Sequence, residues 1–160
     1  MNKALLLKNI ISALQSRYDN AVEAAMRAYN TATNDENVAE NKYDTLALEA
    51  SYLAHGQAQR VAECEADIAA FKKLSTLDNA AKSKVTLGCL VELLDDHDNH
   101  KYVFLAPSGG GLKLLFEQKE VVIVTPGSPL GGALIHRELD DEINIQIGEQ
   151  VINYEIAMIY

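Results

Sequence analysis

The chain has 160 residues, is 48% hydrophobic and carries a formal net charge of −9. That length holds one or two small domains, and the acidic balance disfavours duplex DNA or an anionic membrane as a direct partner of the whole surface. No stretch approaches the ~20 apolar residues of a membrane span, and Lys3, Lys8 and Asn9 interrupt any leader-like pattern, so a soluble, cytoplasmic protein is expected.

Tryptophan is absent and aromatic residues are few, so the core is predicted to be aliphatic. Cys64 and Cys89 fall in apolar patterns of different segments. They read as reduced, buried thiols rather than a disulfide.

The first half reads as helix. Leu7, Ile11, Leu14, Tyr18, Ala21, Ala25, Ala28 and Ala32 step by alternating fours and threes with no Pro or Gly between them, which is a heptad seam. The pattern lapses at Thr33 to Asn37, where the side chains compete for backbone hydrogen bonds. A second run follows at Leu46, Ala50, Leu53, Gln57, Val61, Cys64, Ile68 and Phe71. Its two successive fours around Gln57 read as a stutter, and Gly56 weakens the helix there by ~1 kcal/mol relative to Ala. Two long helices joined by a short polar turn are predicted to lie antiparallel. The change from large residues to alanines along the first seam lets them approach closely toward the turn. Residues 1–74 are thus expected to form a two-helix coiled-coil hairpin.

Leu74 to Lys84 reads as a linker. From Val85 the pattern changes to short strands, so 84–160 forms the second domain. Val85 to Leu94 reads as a strand, Asp95 to Asn99 as a turn, and Tyr102 to Leu105 as the hairpin partner. Ser108 to Gly111 is a turn, Leu112 to Phe116 a short strand, and Glu120 to Val124 a buried one. A helix is predicted from Pro129 to His136. Glu142 to Ile147 alternates cleanly, and Val151 to Ile159 is predicted to close the sheet. Strand runs around one short helix give an α+β class.

The sharpest local signal is Thr125-Pro126-Gly127-Ser128-Pro129-Leu130-Gly131-Gly132-Ala133-Leu134. Two prolines and three glycines punctuate a strand-to-helix junction. Ser128 is a predicted helix cap, and Pro129 falls at the first helical position, where its missing N–H is harmless.

The wording of that junction, continuing through Arg137 to Glu142, resembles the signature of the Gre family of bacterial transcription elongation factors. Glu40-Asn41-Lys42-Tyr43 and Leu48 to Ala54 extend the resemblance into the helical half, in the manner of a divergent branch. The resemblance implies an N-terminal coiled-coil finger and a C-terminal FKBP-like domain. It implies that Pro126, Ser128, Pro129, Leu130 and Gly131 dock on RNA polymerase, and that the finger enters the polymerase secondary channel. Acidic residues at the finger tip then help hold a catalytic Mg²⁺, and the polymerase cleaves backtracked RNA. Such a protein is an accessory factor rather than an enzyme, acts as a monomer, and meets nascent RNA or DNA only inside the polymerase complex.

Carboxylates suit that role because Mg²⁺ is a hard ion that prefers oxygen ligands, and the metal activates a water and neutralises phosphate charge. The tip candidates are Asp35, Glu36, Glu40 and Asp44. Glu36 and Glu40 share a helical face if the helix begins early, and they are the pair expected to reach a Mg²⁺ shared with the polymerase; the chain has no cofactor of its own. The family pattern has Asp three residues before the Glu-Asn pair. Asn37 stands there instead, and Tyr43 comes one residue early. The cations of the helical half are scattered rather than gathered in a basic stripe, which argues against strong RNA binding. Two other functions are therefore carried alongside: a channel-binding regulator without cleavage activity, and a protein that dimerises through its coiled coil.

Ordinary chemistry accounts for the remaining clusters. Asp95 to His100 has metal-ligand residue types but the spacing of neither an EF-hand nor a zinc site, and reads as a turn. Ser108 to Gly111 lacks the ending of a phosphate-binding loop. Ser128 lacks the frame of a nucleophile.

Overall fold

The computed structural model describes residues 1–33, 46–74 and 83–160. The architecture is α+β: two long helices followed by a mixed sheet with one short helix. The elements are α1 (Lys3–Thr33), α2 (Leu46–Leu74), β1 (Leu90–Asp95), β2 (His100–Leu105), β3 (Lys113–Phe116), β4 (Lys119–Val124), α3 (Pro129–Leu134), β5 (Glu142–Ile147) and β6 (Gln150–Ile159). The chain divides into two compact units, one of Met1–Ile11 with Ala70–Tyr160 and one of Ser12–Ala69.

In the helical unit the α1 seam holds as predicted. Leu14, Ala21 and Ala28 are buried, and Tyr18, Ala25 and Ala32 are partly so. Tyr18 O–H donates to Glu65 Oε1 across to α2 at 3.2 Å. The α2 seam differs at one residue. Leu53 is 56% exposed, while the neighbouring Ala54 is partly buried. The inward series is therefore Ala50, Ala54, Gln57, Val61, Cys64, Ile68 and Phe71, which alternates fours and threes without interruption. The two successive fours expected around Gln57 are therefore not found there, and heptad spacing outweighs side-chain hydrophobicity in deciding which residue faces inward.

In the other unit, Asn2 begins α1 by accepting the Leu5 amide on its side-chain oxygen at 3.1 Å. This leaves fewer of the first-turn amides without a partner. Phe71 stacks on Phe104 of the sheet with ring centroids 6.3 Å apart, and Leu6, Ile10 and Leu74 are buried.

The six strands run in the order β3-β4-β2-β1-β6-β5, all neighbours antiparallel except the parallel pair β2 and β4. One sheet face supplies Val91, Leu93, Val103, Leu105, Ile145 and Ile156 to a core shared with Leu130 and Leu134 of α3. Successive residues of a strand face opposite ways, so Leu90, Tyr102, Phe104 and Glu92 belong to the other face.

Several element ends shift by a residue or two from the sequence reading, and three departures bear on the fold. β1 begins at Leu90 rather than Val85, because Gly88 turns the chain at φ 87°. Val85 pairs elsewhere, donating to Arg137 O at 2.7 Å and accepting from the His136 amide at 2.8 Å. α3 ends at Leu134 rather than His136, which has φ 67°. β6 does not close the sheet: it lies between β1 and β5, and β5 is the edge. Among the described residues no helix is long and apolar enough to cross a membrane.

Candidate functional site

The junction between β4 and α3 is a corner held by one hydroxyl. Past Val124 the chain turns, and the Ser128 amide donates to Thr125 O at 2.9 Å. The Ser128 hydroxyl donates to that same carbonyl at 2.8 Å and accepts the Gly131 amide at 3.1 Å. It thus ties the end of the strand to the first turn of the helix and satisfies an amide that has no partner within the helix. Ser128 has the extended backbone of a cap, at φ −84° and ψ 154°, and Pro129 opens the helix.

Gly131 is sterically required at this corner. A Cβ there would overlap the carbonyl oxygen of Thr125 and stand 2.6 Å from its carbon and 3.0 Å from Ser128 Oγ. Its φ is not positive, so the requirement is space rather than backbone conformation. Gly132 has more room, its nearest neighbour being Pro126 O at 3.2 Å. The loop at Ser108 to Gly111 flanks the corner: Gly111 N donates to Ile123 O at 2.9 Å, and a Cβ on Gly110 would meet Thr125 Cγ2 at 3.3 Å.

The five junction residues therefore divide by role. Pro126 and Pro129 are exposed together with Gly127, whereas Leu130 and Gly131 are buried and Ser128 is partly so. What the corner presents outward is a rigid, proline-framed ridge. Two fixed φ angles and a hydrogen-bonded cap hold it in shape.

The tip acids Asp35, Glu36, Glu40 and Asp44 lie outside the described residues. Among the described residues no group of three His, Cys, Asp or Glu side chains is placed to hold a metal. Asp95 organises the turn that the sequence indicates, its Oδ1 accepting the amides of His97 and Asn99 at 2.9 Å each.

One cluster is not foreshadowed by any motif. Glu92 in the middle of β1 has a side chain only 12% exposed. It accepts from Tyr102 O–H at 2.8 Å, from Tyr160 O–H at 2.9 Å and from His100 Nδ1 at 2.7 Å. The carboxylate is acceptor-only, so His100 carries its proton on Nδ1. Lys119 Nζ lies 4.3 Å from the centre of the Tyr102 ring. Burial pushes the Glu92 carboxyl up, but the three hydrogen bonds and Lys119 outweigh it and hold it below the usual carboxylate range. Burial and the Glu92 carboxylate together raise the Tyr160 phenol. The arrangement ties β1, β2 and the residue after β6 to one charge, with the His100, Tyr102 and Tyr160 donors all turned toward Glu92.

The chain matches no protein-family model and no curated protein sequence. It is similar to solved structures of low identity. GreA factor homolog 1 (Gfh1) of Thermus thermophilus is 17% identical, covering 94% of this chain and 94% of that chain with a TM-score of 0.39. Gfh1 of Thermus aquaticus is 18% identical over 93% of this chain and 92% of that one, with a TM-score of 0.41. The transcription elongation factor GreA/GreB from Nitrosomonas europaea is 16% identical over 70% and 91%, with a TM-score of 0.38.

Proposed function

We propose that this chain is a Gre-type transcription elongation factor that binds RNA polymerase through the β4–α3 corner and presents the acidic residues Asp35, Glu36, Glu40 and Asp44 to the polymerase secondary channel. The observation that carries the proposal is the corner itself. The residues that resemble the family signature form one built unit, in which Ser128 and Gly131 fix the turn while Pro126 and Pro129 stand outward.

In this reading the protein performs no chemistry alone. Asp35, Glu36, Glu40 and Asp44 add oxygen ligands to a Mg²⁺ held by the polymerase, and the polymerase hydrolyses the backtracked RNA. Pull-down of core RNA polymerase tests the docking step, and cleavage on stalled complexes tests the chemistry. Wild type stimulates cleavage; Glu36→Ala with Glu40→Ala keeps binding and loses stimulation. Failure to capture polymerase overturns the whole proposal.

A second reading is favoured by Asn37, which stands where the family has Asp. It holds that the protein occupies the channel without promoting cleavage. It predicts competition with a true cleavage factor for the polymerase, and no stimulation by wild type.

A further inference from the structure

The open edge of the sheet carries chemistry that the proposed function does not use. β5 is the last strand of the sheet and pairs only with β6 among the described residues. Ile147 and Gln150 close a two-residue hairpin whose first loop residue, Gly148, has φ 62°. Closing residues of such a hairpin exchange hydrogen bonds with each other, and alternate residues turn their backbone groups away. In this register Ile147, Ile145 and Ile143 bond to β6, while the N–H and C=O groups of Glu142, Asn144 and Gln146 point outward. All three of those residues are exposed.

Proteins ordinarily protect such an edge with lysine, proline, a bulge or a very short strand. The opposite edge, β3, is four residues long and carries Lys113. β5 is six residues long, Glu-Ile-Asn-Ile-Gln-Ile, and the one charge it carries is Glu142 at its start. Ile147 and Val151 at its hairpin end are 57% and 63% exposed.

The segment that carries β5 and β6 is acidic, and the cations recorded beside it come from elsewhere: Lys84 near Asp141, and Lys101, whose Nζ donates to Tyr154 Oη at 3.2 Å. Residues 139–160 contain no Lys, Arg or His, but include Asp140, Asp141, Glu142, Glu149 and Glu155. Glu142 and Glu155 stand directly opposite one another across β5 and β6, an arrangement of like charges that destabilises a sheet. A cation delivered beside them relieves that repulsion. Pairing of two β5 strands cannot deliver it. Antiparallel pairing of two β5 strands sets the acids at Asp140 to Glu142 against Glu149 of the other copy, and parallel pairing sets like ends side by side.

We propose that the β5 edge is a docking site for an extended, basic segment of a partner protein, added to the sheet as a seventh strand. Its backbone pairs with Glu142, Asn144 and Gln146. Its apolar residues lie on the face of Ile143, Ile145 and Ile147, and its lysines or arginines on the face of Glu142 and Glu155. This proposal is independent of polymerase docking through the β4–α3 corner.

The test titrates the isotope-labelled full chain with a synthetic peptide of alternating lysine and valine, and with its glutamate–valine counterpart. Amide exchange is read residue by residue. The lysine peptide slows exchange at Asn144 and Gln146, and the effect weakens with added salt. The glutamate peptide leaves these amides unchanged. Asn144→Pro removes an outward N–H without touching the pairing to β6 and weakens binding at least roughly tenfold. Glu142→Gln with Glu155→Gln weakens it without altering the strand and stands in if the proline variant does not fold. Equal binding of both peptides, or protection at β3 in place of β5, overturns the proposal. So does β5 protection that rises with protein concentration alone, since that assigns the edge to a second copy.

Discussion

Replacing Gly131 by alanine tests the corner by the smallest available change. The new methyl overlaps the Thr125 carbonyl and stands 3.0 Å from Ser128 Oγ. Relief requires Thr125 to move away from α3, which stretches the Ser128 amide and hydroxyl bonds to that carbonyl, now 2.9 and 2.8 Å. Overpacking of this kind costs about 1–3 kcal/mol, and weakening the cap adds about 1 kcal/mol. Alanine recovers about 1 kcal/mol through its higher helix propensity, which leaves a net loss of about 1–3 kcal/mol. Gly132→Ala is the matched control: it has the same propensity gain and a nearest contact of 3.2 Å, to Pro126 O, and is expected to be near neutral. Urea denaturation read by amide resonances of β1, β2 and α3 follows the strand-rich unit by itself. With m of about 1–3 kcal/mol per molar, Gly131→Ala lowers the midpoint by about 1 M while Gly132→Ala hardly moves it. Equal midpoints for the two variants would refute the steric argument.

Other substitutions probe the helical seam and the Glu92 cluster. Leu14→Ala, in a side chain 2% exposed, is expected to destabilise the helical unit by about 2–5 kcal/mol. Leu53→Ala, at an exposed position, stays within about 0.5 kcal/mol; a large loss there would restore Leu53 to the seam. A Cβ on Gly56 meets nothing within 4 Å, so Gly56→Ala raises stability by about 1 kcal/mol in thermal or urea unfolding. Because the Glu92 carboxyl is held below its ordinary value, the folded state binds fewer protons than the unfolded one over that interval. The stabilisation is therefore complete above the unfolded value of about 4.3 and is lost as pH falls through the folded value. Glu92→Gln is expected to be less stable than wild type at neutral pH, with the gap closing in acid; a gap independent of pH would show that the charge does not contribute.

What the sequence made legible was local. The Ser128 cap and the Pro129 start depend on neighbours within three residues, and residue types alone indicate them. The α1 seam is equally readable because its large residues and its period agree. In α2 they conflict. Leu53 is more hydrophobic than Ala54, so choosing by hydrophobicity placed the wrong residue inward and set two successive fours around Gln57, where the described residues step by three and then four. The Glu92 cluster gave no signal, because its donors come from residues 8, 10 and 68 positions away. Each is an ordinary strand residue until the sheet brings them together. A glutamate at a position where alternation calls for an apolar side chain, between Val91 and Leu93 and with Leu90 and Leu94 two residues away, was the one available hint.

Strand order lay further out of reach, for a related reason. Alternation states which face a residue takes and says nothing about which strand lies alongside. The β1–β2 and β5–β6 hairpins were accessible because short turns force their strands together. Placing β4 parallel to β2, with β3 outside it, requires a crossover that no turn residue encodes. Placing β6 inside β5 rests on its length. Its ten residues are enough to pair with β5 through Glu155 and with β1 from Tyr154 to Ile159. The register shift between Glu92 and Leu93 then brings Met158 rather than Ala157 opposite Glu92 and leaves Tyr160 able to reach its carboxylate. The same strand that carries Tyr160 to the Glu92 carboxylate therefore leaves β5 at the rim, so the polar cluster and the edge position of β5 follow from one choice of pairing.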